Sequence, residues 1–353
     1  MGSTDITQRK RDHLDLCATG DVGFREATTL LECVKLVHDA LPELSLDELD
    51  TRASLLGKTL RFPLVIAAMT GGTDEAAEIN RSLAAVAESR GYGFGLGSQR
   101  AMHRRGEVAY TYAVREVAPT ALVLGNVGMV QAREMSDAQL RGLVEAVGAD
   151  ALCVHLNPAM ELVQPGGDRD FTGGDALFRR LTSSLGVPVV AKETGNGIGA
   201  TAAAKLRAAG VSHVDVSGAG GTSWVGVETL RATDGARALG EALWDWGVPT
   251  AASVALTRAA GFETVIATGG IFTGRDVARA IALGATACGV ARPVLKAHRE
   301  GGREGVERFL DGVERELRAL MLLTGSRDLA ALRAAPRVIV GELSQWLSQL
   351  SPR

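Results

Sequence analysis

Short apolar runs recur along the chain, and each of them ends on a glycine or a polar residue. A stretch with helical spacing of apolar residues follows most of these runs. Runs that are apolar on both faces and alternate with amphipathic helices are typical of a parallel sheet covered by helices. The runs lie at 63–69, 91–97, 121–127, 151–157, 188–194, 213–219, 264–270 and 287–292. Because there are eight of them, the pattern predicts an α/β protein with a closed (β/α)8 TIM barrel.

Helical spacing is clearest in three of the connections between the runs. Residues 75–88 repeat apolar side chains on one helical face. Thr273 and Asp276 resemble a capping box at the start of the helix after the seventh run. Residues 306–320 form a long amphipathic stretch, which we interpret as the eighth barrel helix.

The chain of 353 residues is long enough for one barrel with extensions but too short for a second full domain, because such a barrel uses roughly 250 residues. We therefore predict a single domain over 1–353. Residues 1–60 are polar and predict an irregular N-terminal extension with one ordered segment around 32–41. Residues 231–247 form a polar insertion after the sixth run. Residues 323–353 predict a helical tail.

The net charge of −3 offers no general attraction to nucleic acid or to an anionic membrane. No apolar run reaches the length of a membrane span, and the charged N-terminus does not resemble a secretory signal. The four cysteines, Cys17, Cys33, Cys153 and Cys288, have no metal-like spacing, and two of them lie inside apolar runs. We expect buried thiols and a cytoplasmic protein without nucleic-acid or membrane partners.

In a barrel of this kind the chemistry lies at the carboxyl ends of the strands. Lys192 follows the fifth run and would point its ammonium into the barrel mouth, where a buried cation needs an anion. That anion is either a bound phosphate or Glu193 in a structural ion pair. Gly269 and Gly270 follow the seventh run, and they predict either a phosphate-binding turn or a tight turn alone.

Other strand ends add further polar candidates. His155 and Asn157 share one face of the fourth run, because side chains alternate along a strand. Glu161 is a candidate ligand for a hard cation, and Arg100 is a candidate phosphate donor. Trp224, after a glycine-rich loop, can form an apolar wall. Near the N-terminus, residues 9–13 form a cationic cluster that is either functional or a solvated charge run.

Many of these motifs together resemble the type 2, flavin-dependent isopentenyl diphosphate isomerases over nearly the full length of the chain. The matching segments are 9–10 with His13, 37–43, 68–84 (AMTGGTDEAAEINRSLA), 95–102 (GLGSQRAM), 125–126, 155–157 (HLN), Glu161, 164–171 (QPGGDRDF), 192–197 (KETGNG), 215–224 (DVSGAGGTSW) and 267–271 (ATGGI).

The resemblance implies conversion of isopentenyl diphosphate to dimethylallyl diphosphate, with reduced FMN and a divalent metal, normally Mg²⁺. It also implies a small prenyl diphosphate substrate, NADPH as the reductant of the flavin, and a homo-oligomer, either a tetramer or an octamer. The reaction adds a proton at one carbon and removes one from another, and an anionic reduced flavin can stabilise the cationic species between them.

The resemblance also assigns roles by position. FMN would be held by Ala68, Met69, Thr70, Ser98, Asn126, Lys192, Ser217, Thr222, Gly269, Gly270, Phe272, Ala291 and Arg292. The substrate would be bound by Arg9, Lys10, Ser98, Gln99, Arg100, His155, Asn157, Met160 and Trp224. Glu161 would bind the metal, and the reaction zone would contain Lys192, His155 and Met160.

Two positions depart from the family pattern. The family places a Gln where this chain has Met160, and a thioether can neither donate a hydrogen bond nor relay a proton. An Arg commonly follows Gly-Gly-Ile where this chain has Phe272, so Arg275 or Arg292 would have to take over its contact with the FMN phosphate.

Four hypotheses are therefore open. The chain is an isomerase that tolerates Met160, a flavoenzyme with an altered prenyl phosphate substrate or outcome, an FMN-dependent 2-hydroxy-acid oxidase, or a non-catalytic binder. The oxidase needs a His base and an Arg after the sixth strand, and residues 218–224 contain neither.

Overall fold

Eight parallel strands close into a barrel in the computed structural model, which describes residues 3–350 and their side chains from residue 8 onward. The strands are β1 Val34–Leu36, β2 Ala53–Leu55, β3 Lys58–Leu60, β4 Leu64–Ile66, β5 Gly93–Gly95, β6 Leu122–Gly128, β7 Ala151–Leu156, β8 Val189–Glu193, β9 His213–Asp215, β10 Thr264–Thr268, β11 Ala287–Val290 and β12 Arg337–Ile339. Strands β4 to β11 form the barrel in chain order, and β11 pairs back onto β4. Each predicted run coincides with one barrel strand to within one residue at its carboxyl end or contains it, so the predicted TIM barrel is confirmed.

Helices connect and surround these strands. They are α1 Ser3–Thr19, α2 Asp74–Arg90, α3 Arg100–Arg104, α4 Met129–Glu134, α5 Asp137–Val147, α6 Pro158–Val163, α7 Gly174–Ser184, α8 Ala200–Ala208, α9 Trp224–Arg231, α10 Asp234–Leu243, α11 Thr250–Ala259, α12 Gly274–Ala282, α13 Arg292–Leu323, α14 Leu329–Ala334 and α15 Gly341–Leu350. Short 3-10 turns lie at Leu31–Cys33, Leu46–Glu48 and Gly106–Tyr112.

The helix signals read from the sequence correspond to helices. Residues 75–88 lie in α2, which begins after the N-cap Thr73. Thr273 and Asp276 make the predicted capping box of α12. Residues 306–320 lie in α13, whose backbone is kinked at Gly301 and Gly302 because neither glycine has helical dihedral angles.

The N-terminal extension is more ordered than predicted. It begins with α1, a helix of 17 residues that buries Leu14, Cys17 and Ala18. Because α1 contains many charged residues, its apolar stripe is narrow, and apolar periodicity in the sequence does not reveal the helix. The tail is not entirely helical either, because β12 pairs antiparallel with β1 between α14 and α15. That pairing joins Val34 to Ile339, a contact that local sequence cannot reveal.

The inside of the barrel is apolar at its amino end. Val65, Leu122, Leu124, Cys153 and Val190 belong to one buried cluster there. Leu55 and Leu60, from the β2–β3 hairpin, join the same cluster and so close that end. All four cysteines are free thiols, and only Cys33 is partly exposed.

Across residues 3–350, no helix combines the length and the apolar character that a membrane span requires.

Candidate active site at the mouth of the barrel

Side-chain alternation places polar residues directly above the apolar floor of the barrel. Asn126, His155, Lys192 and Thr268 each stand two positions after an apolar residue of the floor, on four different strands. Residues two apart on a strand face the same side. These polar side chains therefore meet in one cavity at the carboxyl end of the barrel. The functional residues were predicted from the sequence to lie at this end.

The cavity collects most of the predicted site residues. Those on its wall are Arg9, Lys10, Ala68, Met69, Thr70, Ser98, Arg100, Asn126, His155, Asn157, Met160, Glu161, Lys192, Ser217, Thr222, Trp224, Ala291 and Arg292. The N-terminal helix α1 is part of this wall, so residues 9–13 are not a solvated charge run. Whether each residue binds what the resemblance implies remains a prediction.

Gln99 does not reach the cavity, contrary to the sequence prediction. Its side chain is fully buried beneath the wall. Its Nε2 donates to the Leu143 carbonyl at 2.9 Å, and its Oε1 accepts from the Asn126 backbone N–H at 2.9 Å. Both ends of the amide are thus used inside the fold, and Gln99 supports Asn126 instead of contacting a ligand.

Gly269, Gly270 and Phe272 also lie off the cavity wall. Both glycines have positive φ angles, 97° and 72°, and pack against the loop after β9 so closely that a Cβ would collide with Gly218 or Thr29. This packing favours the tight-turn interpretation. Among residues 8–350, the backbone N–H groups of 269–271 still find no hydrogen-bond acceptor. Phe272 is 44% exposed and is not one of the residues that line the cavity.

Lys192 is paired, but with a different residue from the one that the sequence suggested. Its Nζ donates to Asp215 Oδ2 at 2.9 Å, and both side chains are buried. Glu193 instead accepts three backbone N–H groups, from Thr194, Asn196 and Gly197, at 2.6, 2.5 and 3.1 Å. Burial raises the pKa of Glu193 to about 8. Glu193 therefore holds the loop after β8 through its backbone N–H groups, while Asp215 pairs with the ammonium of Lys192.

His155 is held as a neutral ring. Its Nδ1 lies 2.8 Å from Asn126 Oδ1, and the amide nitrogen of Asn126 donates to the Leu96 carbonyl. Asn126 therefore presents an acceptor, so we assign the proton to Nδ1 of His155. Burial, with the nearby charges of Lys192 and Arg100, lowers the pKa of His155 to about 4. At neutral pH this histidine contributes a hydrogen-bonding ring and no positive charge.

Cations gather on one side of the cavity. Lys10 donates to the Gly71 carbonyl and to the Tyr112 hydroxyl, the latter at 3.0 Å. Burial, followed by the charges of Arg9 and Arg105, lowers the pKa of Lys10 to about 7. Arg100 also lines the cavity, and its buried Nε finds no partner among the described residues. Unsatisfied, mutually repelling cations of this kind are suited to an anion with several charges.

Glu161 stands close to this cationic side. Its Oε1 accepts from Asn157 Nδ2 at 2.9 Å, and its Oε2 accepts from Gln164 Nε2 at 3.1 Å and from the Asp168 N–H at 2.8 Å. Residues 8–350 contain no cluster of three or more carboxylate, imidazole or thiol groups arranged for a metal. One oriented carboxylate fits the way Mg²⁺ binds when phosphate oxygens and waters supply its other ligands.

Met160 lies between these polar groups and presents a soft, apolar surface. It is buried on the cavity wall, and its sulfur is 3.9 Å from Asn157 Nδ2. A thioether accepts only weakly from that amide. This side chain can therefore neither donate a hydrogen bond nor relay a proton.

Two threonines on the wall belong to none of the site residues predicted from the sequence. Thr194 and Thr268 line the cavity, and both hydroxyl oxygens are buried without a partner among the described residues. Buried hydroxyls normally have partners, so these two point to a ligand with polar edges. Alternation along β10 could have identified Thr268, because it stands two residues after the inward-facing Ile266.

An ionic network around the buried Glu228 holds α1 at the cavity. Nε2 of His13 lies 2.7 Å from Glu228 Oε1, while Arg231 bonds both Glu228 and Asp12 at 2.7 and 3.0 Å. The His13 ring also meets the Trp224 ring edge-on, with centroids 5.2 Å apart. The helix that carries Arg9 and Lys10 is thus fastened to α9, and the rings of His13 and Trp224 lie next to each other on the cavity wall.

The sequence is similar over almost its whole length to several curated proteins. It is 45% identical over 345 residues to the isopentenyl-diphosphate delta-isomerase of Methanothermobacter thermautotrophicus, covering 98% of this chain and 96% of that one. The same-named proteins of Methanosarcina barkeri and Pyrococcus abyssi are 44% and 41% identical, each over 97% of this chain and 94% of theirs. Residues 168–338 also match the FMN-dependent dehydrogenase family.

Solved structures show the same fold at lower sequence identity. A mandelate oxidase variant with the monooxide FMN adduct superposes with a TM-score of 0.65 at 22% identity, covering 95% of this chain and 100% of that one. Mandelate oxidase with (S)-2-phenylpropionate gives a TM-score of 0.65 at 21% identity, covering 95% and 98%. These similarities concern the barrel architecture alone.

The state of Lys10 predicts a pH dependence for anion binding. With a pKa of about 7, Lys10 loses its charge as the pH rises, whereas an anion prefers the charged form. We expect the affinity for magnesium diphosphate, measured by calorimetry from pH 6 to 9, to fall more steeply in the wild type than in Lys10→Met. The ratio of the two affinities should fall by at most about tenfold per pH unit above pH 7.

The exposed Lys205 on α8 provides the control, because Lys205→Met should leave the pH profile unchanged. Parallel profiles for the wild type and Lys10→Met would show that Lys10 does not sense the anion.

Proposed function

The chain belongs to the family of isopentenyl-diphosphate delta-isomerases, and from this we propose that it converts isopentenyl diphosphate to dimethylallyl diphosphate with reduced FMN and Mg²⁺. The observation that carries the proposal is the division of one cavity into three parts. A cationic side contains Lys10 and Arg100, an apolar stretch contains Trp224 and Met160, and buried polar groups around Lys192 lie below.

The polar groups around Lys192 suit a flavin. The ring of FMN has carbonyl and N–H edges, and the unpartnered hydroxyls of Thr194 and Thr268 can meet such edges. Although Gly269 and Gly270 lie off the cavity wall, the N–H groups of 269–271 have no acceptor among residues 8–350. These groups, with the side chain of Arg292 on the wall, would receive a phosphate, as backbone amides near the start of a helix often do. When bound and reduced, FMN supplies an acid–base centre and a negatively charged ring beside the alkene.

The cationic side suits the diphosphate. Arg9, Lys10 and Arg100 would neutralise most of its charge, and Glu161 would hold Mg²⁺ against its oxygens. The isoprenoid tail would then lie against the apolar side chains of Trp224 and Met160. Anchoring the charged end in this way holds the alkene in one orientation, and such positioning contributes to the rate by itself.

The chain's own acid–base groups are few at the apolar end of the cavity. His155 is neutral at pH 7 and already donates to Asn126, and Met160 cannot carry a proton. Lys192 is tied to Asp215, which leaves it as a source of positive charge. The isomerase proposal therefore assigns binding, orientation and charge to the protein side chains.

Three further expectations from the sequence stand as proposals. NADPH would reduce the flavin, and the chain would act in the cytoplasm as a homo-oligomer, either a tetramer or an octamer. Exposed apolar side chains near the β1–β12 pairing, among them Val37, Leu41 and Val338, support contact with a second copy.

Met160 favours a second candidate, a flavoenzyme that acts on another prenyl phosphate or gives another product. An apolar residue at this position enlarges the apolar part of the wall at the expense of a polar contact. The oxidase hypothesis has less support, because the loop after β9 brings Ser217, Thr222 and Trp224 to the cavity and has no His or Arg.

The direct test is an assay with purified protein, FMN, a reductant, Mg²⁺ and isopentenyl diphosphate. We expect the protein to take up FMN, seen as a yellow chromophore, and to form dimethylallyl diphosphate that is detected by mass-resolved chromatography. Omission of the reductant is the control. A protein that stays colourless with added FMN would refute both flavoenzyme proposals, and FMN binding without product would favour the second candidate.

Replacement of the metal ligand should separate the metal from the flavin. Glu161→Gln keeps the shape of the side chain but removes its charge, so we expect metal-dependent turnover to be lost while FMN absorbance is retained. Glu145→Gln, at an exposed position on α5, is the matched control. Normal turnover of Glu161→Gln at ordinary Mg²⁺ concentrations would exclude Glu161 as the metal ligand.

Restoration of the family residue tests the role of Met160. If the missing Gln orients a proton relay, Met160→Gln should raise kcat by a factor on the order of ten or more, with little change in KM, because the diphosphate contacts are untouched. Met160→Leu controls for the change of volume. Flat or lower activity in Met160→Gln would instead indicate a repacked pocket and a different prenyl substrate.

A further inference from the structure

Asp215 is a buried carboxylate beside Lys192 that belongs to the 215–224 motif and has no assigned part in the proposed reaction. It ends β9 and is 5% exposed. The strand register places it directly opposite Lys192 on β8. Paired residues on adjacent parallel strands face the same side, so the fold itself, rather than a flexible loop, brings the two charges together.

The two oxygens of Asp215 bond to different groups. Oδ2 accepts from Lys192 Nζ at 2.9 Å, and Oδ1 accepts from the Ser217 backbone N–H at 3.2 Å. The second bond closes a turn of the kind that aspartate side chains make with the residue two positions on. One carboxylate thus joins a buried cation to the first turn of the glycine-rich loop.

That turn is under conformational strain. Ser217 has a φ of 35°, in the left-handed region that a non-glycine residue seldom adopts. Its carbonyl accepts from Gly195 and Gly197, at 2.9 and 3.1 Å, and its side chain lines the cavity. The bond from Asp215 helps to hold Ser217 in this conformation, and Ser217 in turn joins the loops after β8 and β9.

The other groups around Lys192 do not balance its charge. His155 lies opposite Lys192 on β7 and is neutral at pH 7. Burial raises the pKa of the nearby Cys153 thiol to about 12, so it is neutral as well. Glu193 is occupied by backbone N–H groups. Within residues 8–350, Asp215 is the carboxylate bonded to the ammonium of Lys192.

We propose that Asp215 is a positioning residue that keeps Lys192 charged and oriented into the cavity and at the same time holds the Ser217 turn. This inference rests on the proposed function in so far as the ligand facing Lys192 is a flavin. Through Lys192, Asp215 would set how strongly the site attracts the polar edge of that flavin. Through Ser217, it would set the shape of the neighbouring wall.

Two variants separate these tasks. Asp215→Asn keeps an oxygen for the Ser217 N–H but removes the charge, and Asp215→Ala removes both. The double variant Asp215→Asn/Lys192→Met has no buried charge at either position and serves as the matched control. All three are compared with the wild type as full-length protein.

The first measurement needs no flavin. A buried lysine without an anion gives up its proton more readily, so folded Asp215→Asn should bind fewer protons than its unfolded chain. Its stability should therefore rise with pH. We expect the amount by which its Tm falls below that of the wild type to decrease between pH 6 and pH 9. For the double variant, the same difference should stay constant. An equal deficit for Asp215→Asn at every pH would overturn the proposal.

The second measurement is FMN affinity by quenching of flavin fluorescence. We expect binding to Asp215→Asn to weaken by about tenfold or more at pH 8, to recover in part at pH 6, and to weaken further in Asp215→Ala. Wild-type affinity in Asp215→Asn would also overturn the proposal. If the wild type fails to bind FMN, the proposed function is refuted, and the Tm series alone decides whether Asp215 holds Lys192 charged.

Discussion

The interior of a closed barrel has room for polar side chains only where it opens, and the rest of this structure follows from that constraint. Below the opening, inward positions such as Leu124 and Val190 are apolar and packed. Two residues further along the same strands, inward positions such as Asn126 and Lys192 are polar. Each of these must be paired or must face a ligand, because an unsatisfied buried polar group is costly. The site therefore forms at the end of the apolar core, where the inward-facing positions of the strands change from apolar to polar.

This constraint explains which features could be predicted from the sequence. A strand that is apolar on both faces is visible in any short window, so all eight strands were located. The same alternation brought His155 and Asn157 to one cavity. Family motifs then located other wall residues that no periodicity indicates, such as Arg9 and Thr222.

The remaining features depend on contacts that are remote in sequence. Gln99 stands between two correctly located residues, but it turns inward because Leu143 and Asn126 offer it partners. Lys192 has a carboxylate beside it in sequence, yet it bonds Asp215 because strand register and not chain order makes them neighbours. The strand β1 is too short to be recognised without β12, its partner at the other end of the chain.

The docking of α1 has a consequence for the order in which the protein is made. The helix that carries Arg9 and Lys10 is synthesised before its anchors, which lie far downstream. Glu228, the partner of His13, lies 215 positions further along the sequence. Arg299, the partner of Asp15, lies 284 positions further along. Until α13 has been synthesised, Leu14 and Cys17 have no barrel to cover them. A nascent chain therefore completes this part of the cavity wall only after α13 has been made, although the residues of α1 are made long before.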